Sequence, residues 1–166
     1  MSAQLTYKFS TPIGVAGGIV DLAPKAIDTF LNGETTGTML FGVGVVQGAT
    51  TDKGIKVNLP DSNATAAVFE GITTNNLTTE YDMEGQIHIP EGAAMGVMRY
   101  GRIYARVATN VTPAYGDALY MVISGDEVGY FTNSSSGTIA IKGRFLGTVD
   151  ADNGVAQVEL FNQAQS

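Results

Sequence analysis

The stretch Val97–Ile123, reading VMRYGRIYARVATNVTPAYGDALYMVI, constrains the fold more than any other part of this chain. Within it Ile103, Ala105 and Val107 alternate with Arg102, Tyr104 and Arg106. A period of two places one set on a buried face of a strand and the other on the opposite face. Helical geometry would scatter both sets. Thr109–Gly116 then supplies Asn, Thr, Pro and Gly, the residues of a connection. Asp117–Ile123 returns as a second apolar run. The pair predicts two strands of a β body joined by a polar turn.

Most of the chain after Met39 repeats this grammar. Runs of strand character occupy Met39–Gln47, Gly54–Leu59, Val68–Thr73 and Gln86–Ile89. Ala94–Tyr100 and Arg102–Val107 follow, with Gly101 between them as a bulge or kink. The series closes with Val128–Thr132, Ile139–Lys142, Arg144–Val149 and Val155–Phe161. Asp150–Gly154 (DADNG) joins the last two as a hairpin-type turn. About ten short strands with frequent turn signals, and no alternating βαβ pattern, predict an all-β antiparallel sandwich or barrel, jelly-roll-like in its strand pattern. One segment breaks the rule. In Asp21–Gly33, Ala23, Ala26, Ile27, Phe30 and Leu31 follow helical spacing, Asp21 is placed to cap and Gly33 to terminate. One short helix or a loose turn is expected there. The expected organisation is an N-terminal arm and linker over 1–38, a β body over 39–161, and a tail over 162–166.

The arm itself is apolar but interrupted. Leu5, Tyr7 and Phe9 alternate before Pro12, Gly14, Gly17 and Gly18 break any regular element. Exposing Leu5, Tyr7, Phe9, Ile13, Val15, Ile19 and Val20 to water is unfavourable by roughly 25 cal/mol per Å² of apolar surface. The segment must therefore dock. Two readings stay open: an edge strand on its own domain, or an arm lying on a neighbouring subunit.

Composition narrows the function. The 166 residues suit one domain with a substantial core. The formal net charge of −7, with nine scattered basic residues, argues against nucleic acid. The absence of cysteine excludes disulfides, a thiol nucleophile and cysteine-ligated zinc, and fits a cytoplasmic folding compartment. No signal-peptide pattern opens the chain, and no run approaches the roughly 18 apolar residues of a membrane span.

Reactive constellations fail one by one. His88 is the sole histidine, so a multi-histidine metal site is impossible within one chain. Glu80, Asp82 and Glu84 share a face if extended, but lie in a polar loop of a chain without tryptophan, which suits a solvated loop better than a glycosidase cleft. Gly42 and Gly44 lack the Gly-Lys-Ser/Thr of a phosphate loop, and Asp150, Asp152 and Asn153 lack the spacing of a calcium loop. No catalytic residue, cofactor or metal ligand is expected.

Three pieces in order carry a resemblance. They are VAGGIVDLAPKAIDTFLNGE (Val15–Glu34), MLFGVGVVQG with FEGITTNN (Met39–Gly48, Phe69–Asn76), and VMRYGRIYARVATNVTPAYGDALYMV (Val97–Val122) followed by GRFLGTV and AQVEL. This order resembles the structural cement, or decoration, proteins of tailed-bacteriophage capsids. The resemblance implies a non-enzymatic protein on the outer surface of the virion head. It would be made in the host cytoplasm, bind the major capsid protein and stabilise contacts between its subunits. It also implies self-assembly, with a trimer favoured over a dimer. No nucleic-acid or membrane partner is expected. The residues expected at capsid or subunit contacts are Leu5, Tyr7, Phe9, Ile13, Ile19 and Leu22 of the arm, with Arg99, Arg102 and Arg106 of the central strand. The alternative is a carbohydrate-binding or adhesin-like β module using Tyr100, Tyr104, Tyr115 and Tyr120 as stacking faces.

Overall fold

The computed structural model describes residues 13–75, 80–81 and 87–162. Among them are eleven strands: β1 (Ala26–Asn32), β2 (Gly44–Thr51), β3 (Gly54–Asn58), β4 (Phe69–Thr73), β5 (Glu80–Tyr81), β6 (Ile87–His88), β7 (Ala94–Arg106), β8 (Ala118–Val122), β9 (Phe131–Thr132), β10 (Thr138–Phe145) and β11 (Val155–Leu160). A single 3-10 turn, Ala66–Val68, is the sole helical element among the described residues. The all-β sandwich or barrel expected from the strand pattern is what the chain forms.

Nine strands make one sheet, in the order β1-β3-β2-β4-β7-β11-β10-β8-β9. Because β1 also pairs with β7, the first five close into a barrel. The remaining strands extend from the other half of β7 through β11. A parallel bridge between Val107 and Phe131 brings β9 back to the end of β7, with the Ala108 N–H donating to Phe131 O at 2.9 Å. Pairing is antiparallel throughout the sheet except between β1 and β3. β5 and β6 form a separate small hairpin.

Two apolar clusters fill the molecule. Phe30, Met39, Val43, Val45, Val57, Ile89, Met95 and Val97 form one. Ile72, Met98, Ile103, Ala105, Met121, Phe131, Phe145 and Val158 belong to the other. β7 contributes to both, and this explains its burial pattern. Its second half alternates, with Ile103, Ala105 and Val107 buried, as the period of two predicts. Its first half does not, because Val97 and Met98 point to opposite faces and each meets a core. Each fully buried Ile, Phe or Met side chain contributes about 1.5–3 kcal/mol.

The helical spacing over Asp21–Gly33 is overturned, since Ala26–Asn32 is a strand. Ile27 stands opposite Met98 and Phe30 opposite Met95, while Leu31 and Asn32 pair in parallel with Lys56 and Val57. An isolated helix of this length is marginal in water, whereas the first half of β7 offers a ladder of backbone partners. Asn32 locks the end of the strand. Its buried amide donates to the carbonyls of Ile89 and Pro90 at 3.2 Å each, and its Oδ1 accepts from the Glu34 N–H at 2.9 Å. Other boundaries moved by less. The strand expected from Met39 starts at Gly44, the two runs around Gly101 are one strand, and β10 likewise fuses two expected runs.

Residues 13–20 lie along the second half of β7. The Gly17 N–H donates to Tyr104 O at 2.8 Å, the Tyr104 N–H to Gly18 O at 2.9 Å, and the Val20 N–H to Arg102 O at 3.2 Å. This part of the arm therefore packs on its own domain as an edge segment. Leu5, Tyr7 and Phe9 lie outside the described residues.

Gly17 and Gly42 meet beside this contact. Both have left-handed backbones, at φ 75° and 73°. A Cβ on Gly42 would stand 2.8 Å from the Gly17 nitrogen and 3.0 Å from Tyr104 O. The Gly42 N–H meanwhile donates to Thr73 O, and its carbonyl accepts from the Arg106 N–H. Three chain segments thus converge on β7 at a point with no room for a side chain. Gly42→Ala is expected to destabilise the protein by about 2 kcal/mol or more, from backbone strain plus the clash. Gly125→Ala, at φ 88° in open space, should lose only about 1 kcal/mol. Urea unfolding of the two variants checks the difference.

Candidate interaction surface

The solvent face of β7 carries Arg102, Tyr104 and Arg106, and Arg99 precedes them on the same strand. Each arginine is engaged within the chain. Arg102 donates from Nε to Glu159 at 3.1 Å and from Nη1 to Asp21 at 2.9 Å. Arg144 Nε approaches the other oxygen of Glu159 at 2.7 Å, and its guanidinium lies 5.5 Å from the Tyr115 ring centre. A chain of paired groups therefore crosses β7, β11 and β10 from Asp21 to Tyr115. Arg99 bridges Asp28 at 3.3 Å and Glu70 at 3.6 Å. Arg106 donates from Nε to the Phe41 carbonyl at 2.9 Å.

The network sets the local ionisation. Burial pushes the Glu159 carboxyl up, but hydrogen bonds and charge from Arg144 and Arg102 outweigh it and hold it below the usual carboxylate range. Asp21 is held low by the Ala23 N–H and by Arg102. Glu70 runs the other way. It is buried, and its carboxyl is pushed up against the partial relief given by Arg99.

The apolar groups have a different character. Ile13, Val15, Ile19 and Leu22 are exposed, Leu22 at 95%. They sit on a backbone pinned to β7 and to the β10–β11 turn, where Asp150 Oδ2 accepts from the Ile13 N–H and the Asn153 amide donates to Gly14 O. Next to the end of this run, Ala23, Pro24, Tyr100, Gly101, Arg102, Glu159, Leu160 and Phe161 line a shallow cleft of about 190 Å³. Sequence reasoning singled out Ile13, Ile19 and Leu22 as contact groups and Tyr100 as a stacking face, but it missed Phe161 beside Tyr100. Their approach depends on the register of β7 against β11, where Leu160 stands opposite Gly101.

Tyr104 is not an open stacking face. Gly14 and Gly18 cover the Tyr104 ring, and a Cβ on Gly14 would lie 2.5 Å from its carbons. Tyr100 and Tyr115 are exposed. The imidazole of His88 and the carboxylates of Glu80, Asp82 and Glu84 lie outside the described residues. Among the described residues, no cluster of three or more His, Asp or Glu is arranged to hold a metal ion.

Comparison with known proteins fixes the kind of protein this is. The family model described as structural cement protein (E217 gp24/Pam3 gp6) matches residues 3–161. The chain belongs to the structural cement protein family. Membership gives it a structural role at a phage capsid. A chain from a solved structure titled "The capsid of Myoviridae Phage XM1" shares the fold, with a TM-score of 0.70 and 19% identity, over 96% of this chain and 98% of that one. No curated protein sequence matches.

The network makes a pH prediction. Because the Glu159 pKa is lowered on folding, its contribution to stability is present above the ordinary glutamate value of 4.5 and is lost as pH falls through the lowered value. Glu159→Gln should destabilise by about 1 kcal/mol at neutral pH, the scale of a partly screened surface pair. The difference from the parent protein should close in acid. Glu70 has the opposite sign, its contribution declining as pH rises through its raised pKa. Denaturant unfolding of Glu159→Gln and Glu70→Gln between neutral pH and acid tests both slopes.

Proposed function

We propose that this protein binds the outer surface of the phage head and stabilises contacts between major capsid subunits, acting by binding alone and without catalysis. In this reading it is made in the host cytoplasm and carried on the virion. It works as a homo-oligomer, with a trimer favoured over a dimer.

The observation that carries the proposal is the exposed apolar row Ile13, Val15, Ile19 and Leu22 on a backbone that is already hydrogen-bonded to the body. A row held in place loses little conformational entropy on docking, so more of its burial appears as affinity. The ionic groups nearby support the same division of labour. Arg99, Arg102 and Arg106 enter the proposal as strand-surface groups at the contact, but they share their donors with their own chain. Burial of apolar surface therefore supplies the attraction. Leu5, Tyr7 and Phe9 enter the proposal as further arm contacts with the capsid or a neighbouring subunit. Repetition over a capsid lattice converts weak single contacts into high avidity.

Purified protein should add to heads lacking it and raise the temperature at which they disrupt. Leu22→Asp should bind such heads about tenfold more weakly, as expected from losing roughly 1.4 kcal/mol of contact, while its own melting temperature stays unchanged. Sedimentation of mixtures with heads measures the first effect and calorimetry the second. Heads that bind no protein, or that are no more robust once coated, overturn the proposal.

A further inference from the structure

The basic residues are scattered along the sequence, but the fold draws four of them around the cleft beside Leu22. Arg144, Glu159 and Arg102 stand side by side across β10, β11 and β7. The adjoining row begins at Lys142, whose carbonyl accepts from the Phe161 N–H at 2.9 Å, and continues through Phe161 to Tyr100. Lys142 and Arg144, two residues apart on β10, share its outward face. Lys25 is the fourth cation. Its backbone crosses β7 at Gly101, where a Cβ would stand 2.7 Å from the Lys25 Cβ. With φ at 126° and no side chain, Gly101 lets this segment pass, and Ala23 and Pro24 become one wall of the cleft. Four cations thus gather with two carboxylates, Asp21 and Glu159, in a chain whose net charge is −7.

Two of these cations keep donors to spare. The Arg144 guanidinium gives its Nε to Glu159, and its two Nη groups have no hydrogen-bond partner among the described residues. Lys25 is exposed and acts on Asp21 through space.

We infer that this face receives an acidic segment of a capsid subunit, which sets one apolar side chain into the cleft and carboxylates against Lys25 and Arg144. The inference rests on the head-binding reading above and names the chemistry of the partner. A cleft of about 190 Å³ falls below the roughly 300–1,000 Å³ of small-molecule sites, so it suits a single anchoring side chain. Charge then selects the segment that carries the anchor. At physiological salt the acidic remainder of the chain is screened beyond about 8 Å, so the local cations decide what approaches. A guanidinium with open donors takes a carboxylate in a two-pronged hydrogen bond, and a basic segment would meet Lys25 and Arg144 with like charge. The apolar row and the cleft form one continuous contact, because exposed Leu22 adjoins Ala23 in the cleft wall. Burial supplies the affinity, and charge sets the register and the choice of partner.

Sedimentation with phage heads lacking the protein, at low and high salt, tests the inference. Lys25→Glu should bind about tenfold more weakly at low salt, and the deficit should shrink as salt rises. Lys25→Gln gives the same direction with a smaller effect, should glutamate disturb Asp21. Tyr100→Ser should lose about tenfold at every salt concentration, since it removes apolar lining. Lys53→Glu, in the β2–β3 turn, makes the same change in net charge outside the cleft and should bind as the parent does. Melting temperatures of these variants should stay close to the parent's. Equal losses in Lys25→Glu and Lys53→Glu, or full binding by both Lys25→Glu and Tyr100→Ser, overturn the inference while head binding itself stands. DNA binding by the parent that Lys25→Glu abolishes, with head binding unchanged, overturns it in favour of nucleic acid. Heads that bind none of the parent protein remove the head-binding reading and this contact together.

Discussion

The structure depends on how one strand, β7, satisfies its backbone and its faces at the same time. Its first half pairs with β1 and β4, closing the barrel. Its second half pairs with β11 and with residues 17–20. Its side chains enter both apolar clusters. A strand paired on both edges, with a buried face along its whole length, cannot slip by one residue, because its buried side chains would move to the wrong face. Both halves of the molecule take their register from it, and so does the path of the arm.

That role also explains what the sequence made legible. The alternation of Ile103, Ala105 and Val107 against Arg102, Tyr104 and Arg106 reports one buried face, and one buried face is what the second half of β7 has. The turn residues around it mark its ends correctly. Asp21–Gly33 misled because its apolar residues record only which side chains are buried, and a strand that is exposed for its first four residues gives little period-two signal. Phe30 and Asn32, the two buried positions, are two apart as in a strand, but an asparagine does not read as a core residue. Its burial is intelligible only once the carbonyls of Ile89 and Pro90 are in place to receive its amide, and those lie far along the chain.

The exposed groups were legible in the same partial way. Ile13, Ile19 and Leu22 are readable as apolar residues with no regular element to bury them, and they are exposed. The three arginines looked available because they stand out in an acidic chain. The structure instead gives each of them a partner within the chain, and those partners come from Asp21, Asp28, Phe41, Glu70 and Glu159. Pairings across such separations leave no local pattern. Tyr100 and Phe161 come together for the same reason, through the antiparallel register of β7 and β11.

These arginine partners give the charged network a positional role. Asp21 follows directly on the segment laid along β7, and Arg102 ties it to Glu159 on β11. Glu159 is held in turn by Arg144 on β10. The point where the chain leaves β7 and crosses toward β1 is thus clamped to three strands, and Leu22 lies one residue beyond the clamp. Surface ion pairs contribute little to stability singly, but a connected set fixes geometry. A fixed geometry is what an exposed apolar row requires. Leu22, next to the clamped Asp21, is 95% exposed, in a protein whose family role is structural.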